Sequence, residues 1–260
     1  MDIRSLPPPP ADERIAYGSD PFQFGDLRLP ARHGPHPVAI VIHGGFWRAM
    51  HDLKHTGHLA AALTSVGIAT WNLEYRRIGN PGGAWPGTLE DVARGVAHIR
   101  SIAASHQLDL TRAAVVGHSA GGHLALWLGS QNKSSADPLP LRGIVALAPV
   151  ADLRRAWDMR LGDTVVADFL GGTPEEVPDR YRDVSPIEQL PFGIPQTLVH
   201  GTADEKVPYE ISERYVAVAQ SRGDIARLIT LEGIGHFELI DPRSREFTHV
   251  REAVLGCYNE

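Results

Sequence analysis

Residues 113–129 read AAVVGHSAGGHLALWLG. A short β-branched run leads into a serine bracketed by glycines, and an apolar segment at helical spacing follows. That is strand, tight turn, helix. The arrangement suits a nucleophile elbow, in which a serine stands on a sharp turn with its hydroxyl clear above a sheet. Gly117 and Gly121 are expected because side chains there would collide with the neighbouring strand and helix. The same residues would also suit a serine that merely caps a helix. The rest of the chain must therefore supply a base, an orienting acid and an oxyanion site for Ser119.

Outward from this stretch, strands and helices alternate. VAIVI (38–42) is a continuous β-branched run, the mark of a strand buried on both faces of a parallel sheet. A helix over 55–66 follows, then a strand IATWNLEY (68–75). Residues 88–104 place Leu89, Val92, Val96 and Ile99 on one helical face. GIVALAPV (143–150), QTLVHG (196–201) and ARLITLEG (226–233) read as further strands. Helices are predicted over 212–221 and 244–255, and one or two edge strands within 15–29. The pattern predicts an α/β fold: a mostly parallel sheet of seven or eight strands with helices on both faces. One domain over 1–260 is expected. Residues 1–13, with four consecutive prolines, read as an extended arm. Residues 152–191 are too long for an ordinary connection and read as a small helical cap.

Bulk properties narrow the function classes. The net charge is −6 over 260 residues, so there is no basic excess to bind nucleic acid or an anionic membrane. A single cysteine, Cys257, allows neither an internal disulfide nor a thiolate metal cluster. The N-terminus lacks an apolar signal-peptide region, so a cytoplasmic protein is expected. No Gly-x-Gly-x-x-Gly follows the first core strand, and no P-loop is present, so a dinucleotide or nucleotide reading lacks its anchor. No metal and no organic cofactor is required by the expected chemistry.

A serine hydroxyl is a weak nucleophile and needs a base. The chain has 13 histidines, and most must do something else. His236 falls in the loop after the last predicted strand, behind Gly233 and Gly235. Asp204 falls in the loop after the strand before it. Both sites are C-terminal ends of parallel strands, where open α/β sheets bind their ligands. Glu205 is the rival acid. Asp204 is preferred because Lys206 can hold Glu205 in an exposed pair. For the oxyanion, HGGFW (43–47) ends the first core strand. Gly44 is expected to allow the turn, with the amides of Gly45 and Phe46 aimed into the site. The amide of Ala120, just after the nucleophile, completes the set. His43 is expected to shape this loop.

These motifs carry a resemblance. HGGFW, EYRR…WPGTLEDV (74–92), GHSAGGHLA, HGTADEKVP and GIGHFEL together resemble the α/β-hydrolase superfamily of serine esterases. The nearest branches are the hormone-sensitive-lipase-like esterases and the kynurenine formamidases (arylformamidases). Phe46 stands where the former carry a third glycine, and the HGG-aromatic-Trp form resembles the latter. HGTADEKVP also resembles prolyl-oligopeptidase catalytic domains. The resemblance spans roughly residues 20–255. It implies an α/β-hydrolase fold, a Ser119–Asp204–His236 triad with Asp204 favoured over Glu205, and an acyl-enzyme mechanism.

The implied activity is hydrolysis of a carboxylic ester with a small acyl group and an aromatic or apolar partner. Formamide hydrolysis of the arylformamidase kind is the alternative. A peptidase or a non-catalytic receptor ranks below both. Trp47, His118, Trp85, Trp157 and Phe237 are expected around the substrate; packing of the loop aromatics onto the sheet is the alternative, and the preferred one for Trp47. The expected partner is a small ester or formamide, and the last helix with the final strand would suit a sheet-edge homodimer.

Overall fold

The computed structural model describes residues 2–259. Its eight strands are β1 (Glu13–Ala16), β2 (Phe24–Arg28), β3 (His36–Ile42), β4 (Ala69–Leu73), β5 (Leu108–His118), β6 (Leu141–Leu147), β7 (Gln196–Gly201) and β8 (Ala226–Leu231). They form one sheet in the order β1-β2-β4-β3-β5-β6-β7-β8. The first two pairings are antiparallel and all others are parallel. This is the α/β-hydrolase fold expected from the sequence. The direction of travel reverses at β3: β4 lies on one side of it and β5 on the other. Such a switch point opens a crevice beyond the C-terminal strand ends. The 43–47 loop and Ser119 emerge there.

The helices are α1 (Gly57–Ser65), α2 (Gly87–Ala103), α3 (Ala120–Ser134), α4 (Leu153–Asp158), α5 (Val165–Leu170), α6 (Pro178–Val184), α7 (Pro186–Gln189), α8 (Glu210–Ser221) and α9 (Phe247–Gly256). Strand β3 explains why they cover both faces. Val38, Ile40 and Ile42 join one apolar cluster with Val92 and Ile99 of α2 and Leu124 of α3. Ala39 and Val41 join another with Leu59 and Leu63 of α1 and Val250 and Val254 of α9. Alternate side chains leave the strand on opposite faces, so a continuous apolar run needs cover on both. Full burial of an Ile or Val contributes roughly 1.5–3 kcal/mol.

Residues 152–191 contain α4 to α7. They are not a detached lid. Val165, Phe169, Leu170, Tyr181 and Val184 are buried within the main cluster, and the amide of Trp85 donates to the carbonyl of Phe169 at 2.9 Å. The first residues are more ordered than an extended arm implies. A 3-10 turn spans Ile3–Ser5, Ile3 is buried, and Arg28 Nη2 donates to the Pro9 carbonyl at 2.9 Å. Glu13, assigned to the arm by its neighbours, begins β1. The prolines set an extended backbone, but the apolar side chains around them still find cover. No helix among the described residues is long and apolar enough to cross a membrane.

Candidate active site

Ser119 joins the last residue of β5 to the first of α3 with φ 58° and ψ −120°. A non-glycine residue in so sparsely populated a region costs on the order of 1–3 kcal/mol. Close packing holds it there. A Cβ on Gly117 would lie 2.1 Å from the Gly121 carbonyl oxygen, and one on Gly121 would lie 2.1 Å from that of Ile42. The Ser119 amide donates to the Leu147 carbonyl at 2.8 Å, and its carbonyl accepts from the His123 amide at 3.0 Å. The serine is thus fixed by β6 on one side and its own helix on the other. Among the described residues its hydroxyl makes no hydrogen bond.

The candidate acid and base are joined directly. His236 Nδ1 donates to Asp204 Oδ2 at 2.6 Å, which leaves Nε2 as the ring's acceptor. The imidazole of His118, next to Ser119 in the chain, has its centroid 4.5 Å from that of His236, so base and nucleophile turn are neighbours. Asp204 Oδ1 accepts the amides of Lys206 (2.8 Å) and Val207 (2.9 Å). Its side chain is fully buried. Burial acts to raise its pKa. The hydrogen bonds from His200, His236 and the Val207 amide outweigh it and hold the carboxyl well below its ordinary range.

His200 was missed in the sequence. It sits at the end of β7, fully buried. Its Nε2 faces two oxygens, Val207 O at 2.9 Å and Asp204 Oδ2 at 3.2 Å, and so carries the proton. Its Nδ1 accepts from the Ser212 hydroxyl at 2.7 Å. The only available signal was its place beside Gly201, and 12 other histidines competed with it. Glu205 is exposed. The expected Glu205–Lys206 ion pair is absent among the described residues. Lys206 serves Asp204 through its backbone amide instead.

The 43–47 loop packs against the elbow. A Cβ on Gly44 would lie 2.6 Å from the His118 carbonyl oxygen and 2.9 Å from Ser119 Cβ. Gly45, Phe46 and Trp47 all have positive φ, at 112°, 50° and 53°. The amides of Gly44, Gly45, Phe46 and Ala120 donate to no acceptor among the described residues. That leaves them free for an oxyanion. The loop's shape comes from beneath. His43 Nδ1 donates to the Gly44 carbonyl at 2.8 Å and the Tyr75 hydroxyl to the His43 carbonyl at 2.7 Å. Buried Glu74 contacts His43 Nε2 at 3.0 Å and accepts from Arg77, the Tyr75 amide (2.9 Å) and the Leu53 amide (3.1 Å). Burial acts to raise the Glu74 pKa. The charges and hydrogen bonds of His43, Arg77 and the Tyr75 amide bring it below the usual carboxylate value. The role of Glu74 under the loop was not read from the sequence.

The residues expected around the substrate divide. Trp47 and His118 have no exposed surface. Trp47 stacks on Phe169 with centroids 4.5 Å apart, because its positive φ turns the ring under the loop and into the core. His118 Nε2 meets the His236 carbonyl at 2.9 Å. Trp85 and Trp157 are half-buried and border clefts whose linings include no member of the Ser119, Asp204, His236 set. Phe46 and Phe237 keep exposed surface beside the loop and the base. Phe237 lies edge-on to His236 at 5.0 Å, and the Arg4 guanidinium covers it at 3.4 Å from the ring centroid.

Comparison with known proteins fits this geometry. The model of the BD-FAE family matches residues 26–218. Esterase LipC of Mycobacterium tuberculosis is 30% identical over 249 residues, covering 88% of this chain and 60% of that protein. The versiconal hemiacetal acetate esterase of Dothistroma septosporum is 28% identical over 253 residues, covering 94% and 67%. The chain therefore spans about three fifths to two thirds of the length of these relatives. A truncated carbohydrate esterase from gut microbiota superposes with a TM-score of 0.83 at 23% identity, over 96% of this chain and 99% of that one. The butyrate-bound Est2 esterase of Thermogutta terrifontis gives 0.76 at 20% identity, over 95% and 93%. These two likenesses concern the fold.

Proposed function

From the premise that the chain belongs to the BD-FAE family, we propose that it is a serine hydrolase that cleaves carboxylic esters. Ser119 is the nucleophile, His236 the base and Asp204 the acid. The amides of Gly45, Phe46 and Ala120, with Gly44 allowing the turn, receive the oxyanion. The observation that carries the reading is the 2.6 Å His236–Asp204 bond beside a serine held at φ 58° and opposite amides without acceptors. An inert glycine turn needs none of these.

The steps follow from the geometry. His236 Nε2 takes the Ser119 proton as Oγ attacks the ester carbonyl carbon. Negative charge moves to the carbonyl oxygen and meets the free amides. Asp204, anionic across the neutral range, stabilises the imidazolium that forms. The alcohol leaves with the proton from His236. Water then attacks the acyl-enzyme by the same route and releases the acid. A bulky, half-buried Phe46 in the oxyanion loop supports a small acyl group. The names of the curated relatives favour esters. The HGGFW form of the loop favours formamides of aryl amines as the second reading.

A substrate panel on the purified protein tests this. It pairs p-nitrophenyl esters of two to eight acyl carbons with N-formylkynurenine and a peptide anilide. The proposal expects the highest kcat/KM for short acyl esters, falling with chain length. Faster turnover of the formamide than of p-nitrophenyl acetate would establish the second reading. Turnover of none would overturn both.

A further inference from the structure

Two imidazoles outside the candidate triad, His118 buried and His55 half-buried, end on the candidate base. His118 Nε2 lies 2.9 Å from the backbone carbonyl oxygen of His236. A carbonyl can only accept, so Nε2 carries the proton. A neutral ring then presents Nδ1 as an acceptor. His118 Nδ1 lies 2.8 Å from His55 Nε2, so His55 is the donor there. The chain of bonds has one direction: His55 Nε2–H to His118 Nδ1, then His118 Nε2–H to the His236 carbonyl. Ring centroids are 5.0 Å apart in the first pair and 4.5 Å in the second.

Both rings are kept neutral. Burial lowers the pKa of each well below the ordinary histidine value. The charges facing His55 are those of His118, His43, His236 and His51, all of which lower it further. Those facing His118 are His236 and His200, which lower it, and Asp204, which raises it with the bond to the His236 carbonyl. A proton on His118 Nδ1 would abolish the acceptor that His55 needs.

The far end of this chain is anchored. His55 lies in the 3-10 turn Leu53–Thr56. The Leu53 amide in that turn donates to Glu74, and the Thr56 hydroxyl donates to Asn72 Oδ1 in β4 at 2.9 Å. His55 Nε2 also lies 3.4 Å from the space a Gly44 side chain would fill. The same turn thus supports the oxyanion loop and, through two imidazoles, the base. The near end needs support. His236 follows Gly233, at φ 71°, and Gly235. Its carbonyl accepts no other hydrogen bond among the described residues.

We propose that His55 and His118 are positioning residues: a directional two-imidazole strut that runs beneath the nucleophile turn and fixes the backbone of His236 relative to Ser119. The assignment rests on the esterase reading for its catalytic consequence. Misplacing a catalytic group by about 1 Å can cost roughly 100-fold in rate. His118→Phe keeps a buried ring but neither hydrogen bond. It should lower kcat on a short acyl ester by about 10- to 100-fold with KM within about twofold. His118→Gln keeps one donor and one acceptor and should restore most of that loss. His55→Phe removes only the outer bond and should lower kcat by about 2- to 10-fold, the worth of one net hydrogen bond.

The low-field proton resonance of His236 Nδ1–H, read in the free protein, supplies an activity-independent measure. It should shift or broaden in His118→Phe and return in His118→Gln. If His118→Phe fails to fold, His55→Phe and His118→Gln carry the test by the same two readouts. Wild-type kcat and an unchanged resonance in His118→Phe would overturn the strut. Equal loss in His118→Phe and His118→Gln would also overturn it, assigning the effect to packing. Failure of the esterase reading looks different: the unsubstituted protein would turn over no ester, while the resonance would still respond to His118.

Discussion

The two sides of the candidate site are held by different physics. On the nucleophile side, backbone is pressed against backbone. Gly44, Gly117 and Gly121 each sit where a methyl group would meet main-chain atoms within 2.6 Å, and Ser119 is left in a conformation it would not choose alone. On the acid–base side one backbone contact is as close, Gly201 against the Ile234 carbonyl oxygen, but polar bonds place the two side chains. Asp204 takes two backbone amides and two imidazoles, and His236 is fixed through its ring and its carbonyl. Steric positioning couples the site to the stability of the fold. Positioning by hydrogen bonds lets activity be lost while the fold persists.

The contrast can be broken from its polar side first. Asp204→Asn keeps an oxygen for the amides of Lys206 and Val207 but presents an N–H to His236, favouring the wrong tautomer. Turnover should fall by about 10⁴-fold, as in other serine hydrolases with this exchange, while Tm moves by only a few degrees. Steady-state kinetics beside calorimetry checks both. A large Tm loss would place Asp204 among the fold-supporting groups. Gly121→Ala probes the other side. The new methyl meets the carbonyls of Ile42 and His43. Overpacking of this kind typically costs 1–3 kcal/mol or more, so Tm and activity should fall together. Wild-type Tm with low activity would show that the close packing is not what holds the elbow.

These sides also differed in how far the sequence disclosed them. Steric demands leave a mark on residue identity, and so Gly117, Gly121 and Gly44 were readable one by one. The β-branched run of β3 was readable because burial on both faces admits little else. Hydrogen-bonded positioning leaves no such mark. His200, His55 and His118 reach their partners over 4, 63 and 118 positions, and none of the 13 histidines is distinguished by its neighbours alone. His236 was readable because a glycine loop after the last strand is a place, not a partner. Trp47 left two readings open, an aromatic at the mouth or a ring packed onto the sheet, and the structure buries it in the core at positive φ. Glu74 and Arg77, buried beneath the oxyanion loop, carried no warning of their depth.

Acid sharpens the same comparison with a smaller effect. The folded pKa of Asp204 lies below its unfolded value near 4. Its contribution to stability is therefore complete above that value and is lost as pH falls toward the lower folded one. Urea midpoints of the parent should fall between pH 6 and pH 3 by more than those of Asp204→Asn. Parallel curves would mean that the carboxylate is not held low. The smallest effect belongs to the exposed rival. Glu205→Gln should leave kcat within about twofold and Tm within about 1 °C, as for most surface substitutions away from a built contact. A loss approaching that of Asp204→Asn would move the acid by one residue.

The proposed function stands on Ser119 as a nucleophile activated by His236. Incubation of the protein with a p-nitrophenyl alkylphosphonate, followed by intact-mass and peptide mass spectrometry, tests it directly. One phosphonyl adduct per chain is expected, on Ser119, formed at a rate that falls steeply in His236→Ala. An unmodified Ser119, or an adduct that forms as fast without His236, would contradict it.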